Sequence, residues 1–567
     1  MTSNDVLGSS VGQTPLSAAP QPMSLRRRNL DRIDGGHFDV LVVGGGINGA
    51  VSAAVLAGRG ASVAVVDRGD FGAFTSQESS NLVWGGFKYL ETYELALVRK
   101  LCMSRNRLLS AYPDNIKSIG FMASLERDGK YAPWFAYMGA LGYWAIGNFR
   151  TPRPRVYRPE KIERLEPLVD TTELAGGIEY YDAYLADNDS RFVFSFVRSA
   201  MDVGAAAANY VELVDARFDG ARWQAKFHDL DAVDADGRPA VLGCTANMIV
   251  NAAGPFVDDL NSQWDVKTKH RIVYSKGIHL IVPRLTNDNR VLAFFDDTDR
   301  LFYVIPMGRR SVIGTTDTRV DTPFTAVDDE DRRFLLEQIN ARLDLEKPLD
   351  TSDVIAERCG VRPLVVKAGG GDRRQVDWTK LSRKHEVEVN RKRKVVTVLG
   401  GKLTDCLNVG EEVAKAVERL GLPLEKDRHN WYGEPAAATR EEFFRRARLM
   451  RLDDLRERPD VEPLSERLWR RYGRRAFQML DLIEQDPSMG VDVMDNADYL
   501  RVELHMAART EMVTKLEDFM RRRSKIDLVV RDSEIRASEG LVDVAQILFS
   551  DRAQEKLDEY LAIPPVS

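Results

Sequence analysis

The sequence of 567 residues is too long for a single hydrophobic core, so two or three domains are expected. Its net charge of -6 excludes a general attraction to nucleic acid, and its apolar and charged fractions are those of an ordinary soluble protein. The four cysteines lie far apart without a CxxC pair, which argues against a zinc site or a disulfide framework and fits a reducing cytoplasm.

Residues 1–36 are predicted to form a disordered N-terminal tail. Small and polar residues dominate the segment, and it lacks the apolar stretch of a signal peptide. Its three consecutive arginines, Arg26 to Arg28, come late in the segment and not at its start.

The first regular elements predict a strand, a glycine turn, a helix and a second strand. The apolar run Phe38–Val43 leads into Gly44, Gly46 and Gly49, and a second apolar run ends at Asp67. In this arrangement the glycines allow a tight turn, a close approach of the backbone to a pyrophosphate, and close helix–strand packing. The helix N-terminus then holds phosphates, and Asp67 accepts hydrogen bonds from a ribose. The segment therefore predicts dinucleotide binding.

Two features favour FAD over NAD as the dinucleotide. The glycine motif lies near the start of the chain, and a second turn of small residues, which includes Ala253 and Gly254, follows about two hundred residues later. Such a turn suits a chain that leaves the nucleotide domain and then returns to it.

The middle of the chain is predicted to be mixed α/β, with an aromatic helix near its start. Strand-like runs occur at Asn247–Asn251, Ile278–Val282, Leu301–Ile305, Ser311–Ile313 and Val395–Leu399. The uncharged segment Tyr131–Phe149 is nearly long enough to span a membrane, but it contains a proline and three glycines and is rich in aromatic residues. A buried or cavity-lining helix is the main expectation, and a surface that dips into a membrane interface or a true span are the alternatives.

From Thr439 to Leu561 the sequence predicts a separate helical domain. The segment is rich in Arg, Glu and Leu at helical spacing and shows almost no β-branched alternation. Its arginine clusters, among them Arg470–Arg471 and Arg521–Arg523, alternate with acids and are expected to lie on solvated helix faces. A surface for anionic lipid or a partner is the alternative.

Seven segments between Asp39 and Val413 carry a resemblance to a known family. In chain order they read "DVLVVGGGINGA", "TSQESSNLVWGGFKYLE", "VNAAGPFVDDL", "SKGIHLIVPR", "VIPMGRRSVIGTTDT", "GVRPL" and "GGKLTDCLNVGEEV". Together with "LWRRYGRRAFQML" and "YLRVELHMAARTEMVTKLEDFMRRR" in the helical part, they resemble the FAD-dependent glycerol-3-phosphate dehydrogenase family of D-amino-acid-oxidase-like flavoproteins.

The resemblance implies a fold and a domain division. It implies an α/β FAD-binding domain of the Rossmann-like, glutathione-reductase type, interleaved with an α+β substrate domain and followed by an all-α C-terminal domain. The expected FAD-binding domain comprises residues 37–110, 180–268 and 355–428. The substrate domain comprises residues 111–179 and 269–354, and the helical domain residues 429–567.

The resemblance also implies a reaction and its partners. Members of the family oxidise the C2 hydroxyl of sn-glycerol 3-phosphate to the ketone of dihydroxyacetone phosphate by hydride transfer to flavin. Most pass the electrons to membrane quinone and some pass them to oxygen. A cytoplasmic protein that is peripheral on the inner face of the cell membrane follows as an expectation. A homodimer is expected as well.

Residues matched one by one to the family pattern supply the candidate site. Arg362, Lys402 and Lys276 match family positions at the substrate, and Arg is suited to clamp a phosphate. A salt-bridged arginine and plain surface turns are the alternatives for these three. His279 is the one histidine inside a site motif and the candidate proton acceptor, unless it is a satisfied histidine within a strand. Backbone N–H groups around Leu403 and Thr404 are expected to face the flavin pyrimidine.

The expected binding residues form two sets. Substrate-binding candidates are Trp84, Lys88, Tyr89 and Arg362. Cofactor-binding candidates are Gly44, Gly46, Asn48, Gly49, Asp67, Thr75, Ser76, Ser79, Ser80, Asn81, Gly85, Ala253, Gly254, Gly401, Lys402, Leu403 and Thr404, and no metal site is expected.

Two residues break the family pattern. Trp84 stands where the family usually has histidine, and Lys88 stands where it has arginine. Tryptophan offers only one donor and cannot accept a proton, so His279 or a water held by Lys276 would take that role. Neutral drift, another substrate such as a polyol phosphate or a 2-hydroxy acid, and a flavin-binding protein without turnover remain open alternatives.

Overall fold

The computed structural model of the chain describes residues 23–233, 236–286, 288–295, 300–368, 384–426, 428–455 and 462–564. The strands are β1 (His37–Val43), β2 (Val63–Val66), β3 (Leu82–Val83), β4 (Ile116–Glu126), β5 (Arg155–Tyr157), β6 (Leu174–Leu185), β7 (Ala206–Ala208), β8 (Val211–Phe218), β9 (Trp223–Val233), β10 (Pro239–Asn251), β11 (His270–Pro283), β12 (Arg290–Phe295), β13 (Leu301–Met307), β14 (Arg310–Gly314), β15 (Thr318–Val320), β16 (Ala356–Lys367), β17 (Glu386–Asn390) and β18 (Val395–Leu399). The helices are α1 (Leu25–Ile33), α2 (Ile47–Gly58), α3 (Leu95–Ala111), α4 (Pro133–Ile146), α5 (Pro159–Leu165), α6 (Asp189–Asp202), α7 (Val257–Gln263), α8 (Asp329–Asn340), α9 (Cys406–Arg419), α10 (Ala437–Leu449), α11 (Leu464–Tyr472), α12 (Ala476–Gln485), α13 (Arg501–Thr510), α14 (Ile526–Val529), α15 (Asp532–Ala537), α16 (Glu539–Phe549) and α17 (Ala553–Leu561).

The first sheet is the predicted nucleotide-binding sheet. Its strands follow the order β17-β18-β10-β1-β2-β7, and β9 and β8 extend it from β10. The central strands β18, β10, β1, β2 and β7 run parallel. Helices α2, α6 and α9 cover one face, while α1 and the strands β8 and β9 contribute to the core on the other. Both faces of β1 and β2 are therefore buried, which explains their unbroken apolar runs.

The second sheet has ten strands and faces the first with one of its surfaces. Its order is β15-β11-β14-β13-β12-β4-β6-β3, with β16 paired to β11 and β5 to β6. Helix α8 packs on the outer face through Leu335, Leu336 and Ile339. The sheet includes β3, β16 and the end of β6, which fall within the residue ranges expected for the FAD-binding domain. Register explains this: β6 pairs with β4 over its whole length, and β16 pairs with β11.

The predicted tail is wrong for its last part, because α1 is a packed helix. Ser24 caps the helix by accepting a hydrogen bond from the Arg27 N–H. Leu30 and Ile33 are buried in the core under β7, and the Arg26 side chain bonds Asp229. The helix is stable through these tertiary contacts, which its own polar composition does not reveal.

Helix α4 is more exposed than the predicted buried helix. Trp134, Phe135 and Met138 are 68%, 54% and 57% exposed, whereas Ala140 and Tyr143 are buried. The helix therefore lies on the surface with its aromatic side outward, and the expectation of a buried or cavity-lining helix is wrong. In the part of the chain that the structure describes, no helix combines the length and apolar character needed to cross a membrane.

The helical C-terminal part docks on the rest of the chain through buried charge. Asp70 accepts hydrogen bonds from Arg522 at 2.9 Å and from two nitrogens of Arg523 at 2.8 Å. Asp187 accepts from Arg470 at 2.7 Å and Arg471 at 2.8 Å. The expectation of solvated helix faces is therefore wrong for these arginines, because their acidic partners come from residues far away in the sequence.

Candidate active site

A cavity of about 290 Å³ lies at the carboxyl ends of β1, β2 and β10, where a parallel sheet binds nucleotides. Nine predicted cofactor-binding residues line it: Gly44, Gly46, Asn48, Asp67, Thr75, Ser76, Ala253, Gly254 and Gly401. Gly49 lies beneath them, and a Cβ there would overlap the Gly44 carbonyl oxygen. The glycine at position 49 thus lets α2 approach the turn closely.

Asp67 closes this cavity at the end of β2. It accepts hydrogen bonds from the Gly45 N–H at 2.6 Å and the Gly69 N–H at 2.8 Å. Burial raises the pKa of the carboxyl group to about 6, although the two backbone donors oppose this. Ribose hydroxyl groups would supply further donors to the ionised form.

The polar groups of the cavity fit a flavin dinucleotide. Gly46 precedes α2 as its N-cap and supplies no side-chain cap, so the positive end of the helix faces the cavity and can hold a pyrophosphate. Asn48 donates to the Gly400 carbonyl at 2.8 Å, while its buried Oδ1 has no partner among the described residues. An unsatisfied buried acceptor in a ligand cavity indicates a donor from the ligand. Sequence reasoning missed Arg68, Phe74 and Phe256, which also line the cavity; an Arg directly after Asp67 was the available signal.

Four other predicted cofactor residues lie outside this cavity. Ser79 bonds Asp189 through its N–H and hydroxyl, and Asn81 donates to the carbonyls of Leu185 and Asp187. Ser80 and Asn81 line a different cavity. Gly85 is buried, and its N–H donates to Asp182.

Leu403 and Thr404 form a short turn that leads into α9. Lys402 precedes this turn, which has no side-chain cap, so its N-terminal end can serve a ligand, as expected for the flavin pyrimidine. Beside it lies an ion cluster that sequence reasoning missed. His385 Nδ1 is 2.9 Å from Asp405 Oδ2, its Nε2 is 3.1 Å from Glu412 Oε2, and a Cβ on Gly401 would lie 3.5 Å from the His385 Cβ.

Arg362 and His279 lie on the face of the second sheet that points to the first. Strand pairing puts Ser275, Gly277 and His279 of β11 opposite Arg362, Gly360 and Arg358 of β16, and opposite residues share a face. The Arg362 guanidinium donates to Thr315 Oγ1 at 2.7 Å and to the Thr316 carbonyl at 3.1 Å. A Cβ on Gly277 would overlap this guanidinium, so the glycine makes room for it.

The surroundings of His279 favour a neutral imidazole. Its side chain is buried, and its Nδ1 has no partner among the residues described. Burial, with further repulsion from Arg362 and Arg358, holds its pKa well below the ordinary value. Arg358 was not expected at the site, although its even spacing from Arg362 along β16 places both on one face.

Lys402 meets the divergent segment. Its Nζ lies 4.3 Å from the centre of the Tyr89 ring and 5.4 Å from that of Trp84. These are cation–π distances. The Trp84 indole N–H donates to the Tyr180 hydroxyl at 3.4 Å, and Lys88 is exposed. The structure thus brings Trp84, Tyr89 and Lys402 together.

Lys276 lies on the opposite face of β11. Its Nζ is 2.5 Å from Asp331 Oδ2 and 3.0 Å from Asp328 Oδ2, at the start of α8. Side chains alternate along a strand, so Lys276 points away from His279. The prediction that Lys276 is an active-site lysine, or holds a water there, is wrong for this geometric reason.

Comparisons with known proteins agree with this architecture. A family model described as "FAD dependent oxidoreductase" matches residues 39–397, and one described as "C-terminal domain of alpha-glycerophosphate oxidase" matches residues 461–555. Glycerol-3-phosphate dehydrogenase 2 of Mycobacterium tuberculosis (strain ATCC 25618 / H37Rv) is 29% identical over 500 residues, which cover 87% of this chain and 81% of that protein. Glycerol-3-phosphate dehydrogenase of Pseudomonas aeruginosa is 29% identical over 515 residues, covering 88% of this chain and 93% of that protein.

Solved structures share the fold. Glycerol-3-phosphate dehydrogenase from Bacillus halodurans complexed with FAD aligns with a TM-score of 0.71 at 20% identity, covering 95% of this chain and 97% of that one. L-alpha-Glycerophosphate Oxidase from Mycoplasma pneumoniae with FAD bound aligns with a TM-score of 0.52 at 16% identity, covering 70% of this chain and 98% of that one. Because the first family model spans more than half of the sequence, the chain belongs to the FAD dependent oxidoreductase family.

Proposed function

We propose that the protein oxidises the C2 hydroxyl of sn-glycerol 3-phosphate to the ketone of dihydroxyacetone phosphate. The observation that carries this proposal is the neutral His279 between Arg358 and Arg362, on the sheet face that points to the nucleotide-binding domain. Relatives named glycerol-3-phosphate dehydrogenase that align over most of the chain support the choice of substrate. The bound flavin would supply a hydride acceptor for the carbinol carbon.

The side chains of the site bind the substrate oxygens and accept the hydroxyl proton. Arg362 presents a fork suited to an oxygen of the phosphate or of the carbinol, and Thr315 and the Thr316 carbonyl hold that fork in place. His279 accepts the hydroxyl proton at Nε2, because Nδ1 is enclosed by protein. Lys402 adds a second cation, which Trp84 and Tyr89 position by their rings.

The Trp84 and Lys402 contact favours a second candidate, the same chemistry on another polyol phosphate or a 2-hydroxy acid. A lysine stacked on two rings is less available to a phosphate than a free one, and Lys88 is exposed. In that case the double variant Trp84→His, Lys88→Arg reduces the flavin faster with glycerol 3-phosphate and more slowly with the other substrate.

Anaerobic titration of the FAD-loaded protein tests both candidates. Glycerol 3-phosphate is expected to bleach the flavin absorbance, and Arg362→Lys is expected to slow the bleaching while FAD stays bound. A flavin that glycerol 3-phosphate leaves unchanged, but that another polyol phosphate or a 2-hydroxy acid reduces, would transfer the proposal to that substrate. If none of these compounds reduces the flavin, the protein is a flavin-binding protein without turnover.

The electron acceptor in this proposal is quinone, met at a membrane surface. Helix α4 presents Trp134, Phe135 and Met138 to solvent, and Phe149 beyond its end is 60% exposed. Lys130, close to the start of the helix, supplies a cation that lies 3.3 Å from the Glu91 carboxylate. Exposed aromatic residues beside cations are typical of helices that lie in the interface of an anionic bilayer.

Flotation with vesicles of phosphatidylglycerol and phosphatidylcholine tests the membrane contact. The double variant Trp134→Ser, Phe135→Ser is expected to lose most of the binding of the unaltered protein. Leu449→Ser, which removes a 73% exposed apolar side chain from α10, is the matched control and is expected to bind normally. Equal flotation of all three proteins would contradict the assignment to α4. The expected homodimer is checked by light scattering of the FAD-loaded protein.

A further inference from the structure

A second cavity, of about 650 Å³, lies between the second sheet and the helical C-terminal part. Its described walls carry nine lysine and arginine side chains against two acidic ones. We call it the cationic cavity and define it by Lys117, Arg284, Arg310, Arg358 and Lys525. Its volume is that of a small-molecule site, and it shares no described lining residue with the nucleotide cavity.

The acidic groups near the cationic cavity already have partners. Glu462, at its rim, accepts from Arg470 at 3.0 Å, and Asp187 behind it accepts from Arg470 and Arg471. Asp498, the other acid of the wall, accepts from Arg471 through its backbone carbonyl. The carboxylates of Glu462 and Asp187 are therefore paired with the arginines of α11.

Arg358 and Arg467 pair with Asp189 and Glu503, whereas Arg284, Arg310 and Lys525 form no salt bridge with any residue that the structure describes. The three side-chain hydrogen bonds of Arg284 go to the backbone carbonyls of Thr286, Asp288 and Gly308. Arg310 donates to the Val529 carbonyl at 2.8 Å. Among the described residues, none accepts a hydrogen bond from the Lys525 ammonium group.

Burial makes these charges costly to the protein. It lowers the pKa of Arg284 and Arg310. Burial is also the largest cause of the lowered pKa of Lys525; Asp187 opposes it, and repulsion by Arg470 and Arg471 adds to it. A cavity whose described walls hold nine cationic side chains against two acidic ones is preorganised for an anion.

We propose that the cationic cavity binds a phosphate-bearing small molecule, at a site separate from the one where substrate is oxidised. Phosphate oxygens match the forks of Arg284 and Arg310, and the ammonium group of Lys525 supplies a point charge. The volume leaves room for a body beyond one phosphate group, which favours a phosphorylated metabolite. The inference does not depend on the identity of the oxidised substrate.

Arg358 links this site to the candidate active site. Its guanidinium lies in the wall of the cationic cavity and donates to Asn81 Oδ1 at 3.0 Å, while its strand position lies opposite His279. An anion in the cavity would draw on the charge that also holds down the pKa of His279. Occupancy is therefore expected to change the rate of flavin reduction as well as the stability of the protein.

Titration calorimetry on the FAD-loaded protein tests the proposal. The probes are inorganic phosphate and glucose 6-phosphate, each added at constant ionic strength set with sodium chloride. We expect saturable binding by the unaltered protein, and affinity lower by about tenfold or more in Lys525→Gln and in Arg284→Gln. Lys415→Gln, which removes an exposed cation on α9, is the matched control and is expected to bind like the unaltered protein.

The outcomes distinguish free phosphate from a phosphorylated metabolite as the ligand, and the cationic cavity from the oxidation site as the place where it binds. Tighter binding of glucose 6-phosphate identifies a phosphorylated metabolite, and equal binding identifies free phosphate; both support the site. Absence of saturable binding overturns the proposal, as does affinity that survives in both Lys525→Gln and Arg284→Gln. Phosphate binding that is lost in Arg362→Lys but kept in Lys525→Gln would place the anion at the oxidation site. That result would also overturn the proposal. FAD content and thermal unfolding of each variant confirm that it is folded.

Discussion

Replacing Gly277 by alanine displaces Arg362 without removing its charge. A Cβ at this position would lie well under 3.0 Å from the guanidinium, closer than real Cβ contacts come. The overlapping atoms belong to the end of a flexible side chain, so the guanidinium moves and the strand stays. We therefore expect normal folding and FAD binding but an arginine shifted off its hydrogen bonds to Thr315 and the Thr316 carbonyl.

The expected loss follows from those two hydrogen bonds. A hydrogen bond to a charged group is worth about 1.5 to 3 kcal/mol, and water replaces part of it. If the shift removes about 2 to 4 kcal/mol of transition-state stabilisation, the second-order rate constant of flavin reduction falls by about 30- to 1000-fold. Arg362→Lys keeps the charge and loses the fork, so it should fall into the same range.

Anaerobic stopped-flow reduction of the flavin by glycerol 3-phosphate measures this rate constant. Gly142→Ala in α4 is the control, because a Cβ there meets nothing within 4 Å. The double variant Gly277→Ala, Arg362→Lys should lose little more than either single variant, since both act on one contact. A Gly277→Ala protein that reduces its flavin within about twofold of the unaltered rate would refute the role given to the Arg362 position.

Three further predictions concern buried charge. Asp70→Asn removes the carboxylate that pairs with the buried Arg523, and one of three that pair with Arg522, and should lower the free energy of unfolding by about 3 to 5 kcal/mol in denaturant titration; Asp543→Asn in an exposed pair should cost less than about 1 kcal/mol. FAD affinity of the apoprotein should fall as the pH drops through about 6, where Asp67 gains a proton, and Asp67→Asn should flatten this dependence in fluorescence titrations. Burial lowers the pKa of His385, but the adjacent carboxylates of Asp405 and Glu412 outweigh it and raise the pKa overall. The stabilisation that His385 provides is therefore present below pH 6.5 and is lost as the pH rises through the folded-state pKa, and thermal unfolding of His385→Gln should lack this loss.

The nucleotide-binding part of the fold was predictable because its signals are local. The glycine turn, the apolar strands on both sides and Asp67 lie within one short stretch, and each residue type has a geometric reason. The alternation of side chains along a strand also predicted which residues of β11 share a face. Residues 275, 277 and 279 lie on one face of the strand, and residue 276 lies on the opposite face. Lys276 and His279 are therefore on opposite faces if the segment is a strand.

Contacts between distant segments were not predictable from patterns. The sequence predicts that the arginines of α11 and of residues 521–523 are exposed to solvent. It does not indicate that Asp187 and Asp70, from distant segments, form hydrogen bonds with arginines of these two groups in the protein interior. The same holds for α1, whose polar residues pack only because β7 lies beneath them. The spacing of residues along one helix or strand predicts which side chains share a face. Which other element packs against that face depends on the topology of the whole fold.

The tryptophan at position 84 sharpens the task of His279 in the proposed reaction. Trp84 can only donate, and it donates to Tyr180, so proton transfer from the substrate falls to His279. Burial, together with repulsion from Arg362 and Arg358, keeps the imidazole unprotonated and able to accept a proton, but it also makes His279 a weak base. A phosphate dianion held near these arginines offsets their charge and raises the pKa of His279 again. Substrate binding would therefore strengthen the base at the moment it is needed.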